Sequence, residues 1–129
     1  MDFTQYQQLS FSQWWKKMKD LNIESIDDYL LFNVKGQYDV PFQNAVQLLE
    51  SSSTLSLTDL SNMKKAQVQM IAQSTEGDYI FSSPLETYVI PVDLHIKDIE
   101  RYPMSIAPFM AQWQQGKIHS RYLKVLKNS

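Results

Sequence analysis

The spacing of apolar residues changes near residues 74–77, and this change most limits the folds that the chain can adopt. Before it, apolar residues recur every three or four positions, as on one face of a helix. After it, short segments rich in β-branched and aromatic residues alternate with turn residues, as strands do. The sequence therefore predicts helices first and a sheet second, which is an α+β arrangement.

The first predicted helix begins at a capping signal. Ser10 and Gln13 have the spacing of a capping box, in which each side chain accepts a hydrogen bond from a backbone amide of the other residue. The helix presents an aromatic face that includes Trp14 and Trp15, and we expect this face to lie in the core. The alternative is a docking surface, because tryptophan often anchors protein interfaces. Trp14 and Trp15 are therefore candidate partner-binding residues.

Three more helices are predicted before the change of spacing. A cap signal at Ser25 predicts a helix that ends at Gly36. Pro41 is at a favoured first helical position and predicts a short helix after it. Ser56 is followed three residues later by an aspartate, and it opens the longest predicted helix, over 57–73.

The C-terminal half predicts a few strands and then helix again. Short strands are predicted over 79–81 and 87–90, and the alternation over 92–97 is typical of a half-buried strand. One or two closing helices follow, over 108–115 and 117–127. Because the strands are consecutive, antiparallel pairing is favoured.

The predicted fold is one globular α+β domain over residues 1–129. It consists of N-terminal helices, a small antiparallel sheet of two or three strands, and one or two closing C-terminal helices. A chain of this length with 43% hydrophobic residues has enough apolar side chains for a real core.

Composition excludes several classes of site. The chain has no cysteine, which removes disulfides, thiolate metal sites and thiol catalysis. It has three scattered glycines and no phosphate-binding loop, so we expect no cofactor and no identifiable small-molecule ligand. The N-terminus does not resemble a signal peptide, and no apolar run is long enough for a membrane span. We expect a soluble, cytoplasmic protein without a membrane partner.

The charges are distributed unevenly along the chain. All fourteen acidic residues precede Arg101, whereas five of the twelve basic residues lie from Arg101 onward. On a helix over 117–127, the side chains of Lys117, Arg121 and Lys124 would share one face. This stripe makes the three residues candidates for binding an acidic surface, on a partner or on a second copy of the chain. The alternative is an ordinary solvated helix face.

Two further patterns suggest other functions. The segment 108–127 fits a helix–turn–helix, whose second helix would direct its basic side chains toward nucleic acid. Asp93 and His95 share a face of the predicted strand 92–97, a spacing compatible with a metal site or a general base. A metal would need more ligands, and the chain has one other histidine, His119. Exposed polar side chains on a strand are the simpler interpretation.

The function expected from the sequence is that of a non-catalytic interaction or regulatory protein. It would act through contacts with a protein partner or through self-association. The alternative is a nucleic-acid-binding protein that uses the basic C-terminal helix, and a small enzyme with a site at Asp93 and His95 is the third reading. The sequence contains no catalytic constellation, so we expect no enzymatic activity.

Overall fold

The computed structural model describes residues 1–33 and 37–126. The α-helices in these residues are α1 (Phe11–Asp20), α2 (Val40–Leu48), α3 (Leu57–Lys65) and α4 (Ile106–Gln114). The strands are β1 (Ser25–Ile26), β2 (Leu30–Phe32), β3 (Gln69–Ser74), β4 (Tyr79–Ser82), β5 (Thr87–Ile90) and β6 (Glu100–Tyr102). Short 3-10 helices span Phe3–Tyr6 and Ile96–Asp98. No helix within the described residues is both long enough and apolar enough to cross a bilayer.

The six strands form one antiparallel sheet in which each strand pairs with its neighbours along the chain, in the order β1-β2-β3-β4-β5-β6. The prediction of a small sheet with two or three strands is therefore wrong, although the fold does mix helices and strands. Strands β4 and β5 lie where the sequence predicts them. Strands β1, β2, β3 and β6 lie in segments that the sequence assigns to helices or loops.

Helices cover both faces of the sheet, so two hydrophobic cores share it. Alternate residues of β4 show the division. Ile80 belongs to the core formed with α1 and α4, whereas Tyr79 and Phe81 belong to the core formed with α2 and α3. A bulge between Met70 and Ala72 shifts the register of β3 against β4.

A tight hairpin of β1 and β2 replaces the helix predicted to start near Ser25. The turn contains Asp27 and Asp28, whose φ angles are 53° and 52°. Aspartate adopts this left-handed region more readily than most residues, because its short side chain can form local hydrogen bonds. The acidic pair therefore forms a turn rather than the first turn of a helix. The predicted end of that helix at Gly36 lies outside the described residues.

Helix α3 ends at Lys65, well before the predicted end at residue 73. Gln67 has a φ of 62°, and the amide of Val68 donates to the carbonyl of Met63 at 2.9 Å. This arrangement closes the helix in the way that left-handed C-terminal residues do. The apolar run that follows enters the sheet as β3, because a short run of this kind fits a buried strand as well as a helix.

The segment 92–97 is not a strand, which corrects a further prediction. His95 forms an isolated bridge with Thr54, and Ile96–Asp98 is a 3-10 helix. Leu94 has a φ of 61°, which interrupts the extended conformation. The sixth strand begins only at Glu100.

Candidate functional site

The C-terminal segment 117–126 contains no helix, so the predicted closing helix over 117–127 is wrong in its described part. Helix α4 ends at Gln114, and Gly116, with a φ of 74°, redirects the chain. The helix–turn–helix over 108–127 is wrong for the same reason, because its recognition helix is missing. Lys127 lies outside the described residues.

The acidic surface that the basic C-terminal segment meets is on the same chain. Lys124 Nζ lies 3.0 Å from Oε1 of Glu76, and a guanidinium nitrogen of Arg121 lies 3.6 Å from Oδ1 of Asp98. Exposed pairs of this kind contribute about 0–1 kcal/mol each. Lys117 is exposed. Arg121 and Lys124, two residues of the predicted cationic stripe, therefore pair with acidic residues of the same chain.

Hydrogen bonds fix the same segment to the body of the protein. The carboxylate of Glu100 accepts from the backbone amide of Arg121 at 2.8 Å and from the hydroxyl of Ser120 at 2.5 Å. The indole of Trp113 donates to the carbonyl of Lys124 at 2.9 Å. These contacts join residues far apart in sequence, and they explain why the segment is ordered without being helical.

The structure places Trp14 and Trp15 in the core. Trp14 is fully buried and Trp15 retains 6% exposure. Both pack in the hydrophobic cluster between the sheet, α1 and α4. Within the described residues, neither indole N–H has a hydrogen-bond acceptor. In this conformation the two candidate partner-binding residues are covered by the protein itself.

Asp93 and His95 are close together, but in a turn that also brings in Asp98. One potential ligand atom from each of the three residues lies within 4.8 Å of the others. Carboxylate and imidazole donors of this kind suit a divalent cation. The guanidinium of Arg121 already lies beside Asp98, however, and its positive charge opposes a cation there. The cluster is thus a partial match to a metal site.

Asp78 is a buried carboxylate in the same acidic region, and its titration leads to a prediction. Burial raises the pKa of Asp78, and three nearby carboxylates add to the rise. A hydrogen bond from the amide of Val92, at 3.0 Å, opposes it. The folded state favours the protonated form of Asp78. The contribution of this residue to the free energy of unfolding is therefore fully present below the ordinary pKa of 3.8, and it is lost as the pH rises through the folded-state pKa.

We expect Asp78→Asn to stabilise the protein at neutral pH. The amide stays uncharged and can still accept the hydrogen bond from Val92. In urea unfolding, Asp78→Asn should have a larger free energy of unfolding than the unmodified protein, and this difference should be greater at about pH 7 than at about pH 4. Glu50→Gln, at an exposed position after α2, controls for the loss of one negative charge. A gain that is the same at both pH values would contradict the raised pKa.

A polar cleft of about 890 Å³ lies at the opposite end of the sheet from these acidic turns. Its walls come from the start of α1, the residues before and on α2, the end of α3, the start of β3 and the turn between β4 and β5. We call this feature the polar cleft. It is lined by Ser10, Phe11, Ser12, Gln37, Tyr38, Gln43, Lys64, Gln67, Val68, Gln69 and Pro84.

Tyr38 forms a fixed part of the cleft wall. Its hydroxyl donates to the carbonyl of Val68 at 2.9 Å, and its own carbonyl accepts from the side-chain amide of Gln43 at 2.7 Å. Its ring packs edge-on against Phe81, with centroids 5.3 Å apart. Burial raises the pKa of Tyr38, so the phenol stays neutral at physiological pH.

Lys64 supplies the charge of the polar cleft. Its ammonium lies 4.9 Å from the centroid of the Tyr38 ring, a cation–π arrangement. Because Tyr38 is neutral, it does not cancel this charge. Among the residues that the structure describes, no carboxylate forms an ion pair with Lys64. The lining given above contains no Asp or Glu, although the whole molecule has a net charge of −2.

A smaller groove of about 260 Å³ lies between α3 and the β5–β6 side of the sheet. Its lining is mostly apolar, and it includes Met63, Ile90 and Ile99. Arg101 and Asp59 stand among these apolar residues. Asp59 is already engaged, because it caps α3 together with Ser56. The groove therefore offers fewer unused polar groups than the polar cleft.

Sequence reasoning missed the polar cleft entirely. Its residues come from six separate places in the chain, and no recognisable motif connects these places. The adjacent cations Lys64 and Lys65 lie inside the helix predicted over 57–73, and such pairs are common on surface helices. Only the fold shows that the first of them lines a cleft.

Comparison with protein-family models, with curated proteins and with solved structures finds no match to this chain.

Proposed function

We propose that this protein is a non-catalytic interaction protein that binds a segment of a partner protein in the polar cleft. The observation that carries the proposal is the combination of the cleft's size with its lining of hydrogen-bonding side chains. Binding sites for compact ligands usually measure about 300–1,000 Å³ and carry a few convergent polar groups. The polar cleft lies within that range at about 890 Å³.

Its construction supports a binding role. Four glutamines line the cleft, at positions 37, 43, 67 and 69. Each carboxamide can both donate and accept, which is what the alternating N–H and C=O groups of a peptide require. Part of the lining is held rigidly, because Tyr38 is fixed by hydrogen bonds and by aromatic packing. A preformed wall of this kind lowers the ordering cost of binding.

Peptide selection would test the proposal. A random 12-residue phage library would be selected against the immobilised full chain, and the affinity of enriched peptides would be measured against two variants. Ser12→Trp fills the cleft from an exposed lining position. We expect it to weaken binding by at least about tenfold, because the bulky indole occupies space that the peptide needs.

Ser61→Trp is the matched control. Ser61 is exposed on α3 and lies outside the cleft lining, so the affinity of the selected peptides should not change. If no peptide is enriched, or if every enriched peptide binds Ser12→Trp as tightly as the unmodified chain, the cleft is not the binding site and the proposal fails. Self-association and a cytoplasmic location, both expected from the sequence, stay predictions.

A further inference from the structure

We infer that the polar cleft recognises a carboxylate on an extended peptide, with Lys64 as the residue that binds the charge. This inference rests on the proposed function and adds the chemistry of the ligand. The ammonium of Lys64 stands in a lining without Asp or Glu, and within the described residues it has no ion-pair partner. A carboxylate is the group in a protein segment that complements it.

The position of Lys64 favours a directed contact. The centroid of the Tyr38 ring lies 4.9 Å from the ammonium, and Tyr38 is itself fixed by a hydrogen bond from its hydroxyl to Val68 and by packing on Phe81. An ammonium beside a neutral aromatic face keeps its charge, and it has three N–H donors, so donors that do not face the ring can bind a ligand. A charge-assisted hydrogen bond to a carboxylate is also stronger than one between neutral groups.

The glutamines beside Lys64 favour an extended peptide as the carrier of that carboxylate. Gln67 follows the end of α3 and Gln69 begins β3, so the two residues are two positions apart in sequence, and both line the cleft. Two carboxamides can pair with successive peptide groups of an extended segment. Residues from the start of α1 and from α2 also line the cleft.

The charge in the cleft does not suit nucleic acid. A nucleic-acid strand presents a phosphate at about every 3.4 Å, and proteins answer with several cations along the path. Lys64 is the one cation in the lining of the cleft as the described residues define it. A ligand with a single carboxylate matches this charge, whereas a polyanion does not.

The experiment compares three synthetic peptide mixtures on the full chain by fluorescence anisotropy. Every peptide in the mixtures is five residues long, and its variable positions are drawn from neutral amino acids. The first has a central Glu and an amidated C-terminus, the second has Gln in place of that Glu, and the third has no acidic side chain but a free C-terminal carboxylate. The first and third separate the two sources of a carboxylate.

We expect the Glu mixture, the free-carboxylate mixture or both to bind at least about tenfold more tightly than the Gln mixture. Lys64→Gln should remove this preference, because it deletes the charge but keeps a polar side chain. Lys65→Gln should preserve it, because Lys65 is exposed on the same helix end but does not line the cleft. Raising the salt concentration should weaken the preferred mixtures more than the Gln mixture.

Three results would overturn the inference. Equal binding of all three mixtures, with no change in Lys64→Gln, would leave a peptide-binding cleft that ignores carboxylates. The proposed function would then survive if the phage-selected peptides still lose affinity on Ser12→Trp. Equal effects of Lys64→Gln and Lys65→Gln would show that the preference for carboxylates comes from the net charge of the protein and not from the cleft. Tighter binding of a 12-nucleotide single strand than of any peptide would assign the cleft to nucleic acid.

Discussion

Replacing Phe42 by alanine should destabilise the protein by about 3–5 kcal/mol. Phe42 is fully buried on α2, and the centroids of the Tyr79 and Phe81 rings each lie 4.9 Å from its own. Truncation removes the buried apolar surface and leaves a cavity that these fixed rings cannot fill. In a domain whose total stability is about 5–15 kcal/mol, a loss of this size is large.

Urea and thermal unfolding followed by circular dichroism would measure this loss, and the midpoint temperature should fall by about 10–20 °C. Leu48→Ala is the matched control, because Leu48 is on the same helix and is 85% exposed. Its cost should stay within about 0.5 kcal/mol. Similar costs for the two substitutions would show that α2 does not pack on the sheet through Phe42.

Replacing Gly77 by alanine should destabilise the protein by about 2–4 kcal/mol, from two causes. The φ of Gly77 is 99°, a conformation that residues with a side chain rarely adopt. The new methyl group would also lie 2.8 Å from Cγ2 of Val92 and 3.3 Å from its Cβ. Rotation of the Val92 side chain could move Cγ2, but Cβ is held in place by a backbone whose amide is bound to Asp78.

Gly116→Ala separates the two causes. Gly116 has a φ of 74°, but a methyl group there would meet nothing within 4 Å, so only the backbone cost of about 1 kcal/mol applies. Val92→Ala removes Cγ2 but keeps Cβ, so in that background Gly77→Ala should cost less than it does in the unmodified protein, although more than Gly116→Ala does. A double-mutant cycle measured by urea unfolding would give the coupling between positions 77 and 92. A coupling near zero would refute the contact.

The elements that local chemistry controls could be predicted from the sequence. The capping boxes at Ser10 and Ser56 start α1 and α3 as expected, and each satisfies its own free amides without help from the rest of the fold. Pro41 marks the first turn of α2 in the same way. These signals fix where helices begin, because all the interacting groups lie within one turn.

Prediction from the sequence is wrong where contacts between distant residues determine the conformation. The residues 117–126 have the composition of a helix, yet Glu100 and Trp113 hold their backbone in another conformation. The β1–β2 hairpin was mistaken for a helix because Ser25 and Asp28 have the spacing of a cap. That spacing does not report the left-handed turn at Asp27 and Asp28, which allows β1 to pair with β2. The polar cleft could not be predicted from the sequence, because no local pattern connects the six chain segments that line it.

The strictly consecutive order of the strands has a consequence for how the chain folds. Strands β3 to β6 are joined by connections of at most nine residues (91–99), so their pairing closes only short loops and loses little chain entropy. Pairing of β2 with β3 must instead close the whole of 33–68, which includes α2 and α3. We therefore expect the meander β3–β6 to pair before β2 joins β3, and we expect the polar cleft, which needs α1, α2 and α3 around the start of β3, to form after the meander.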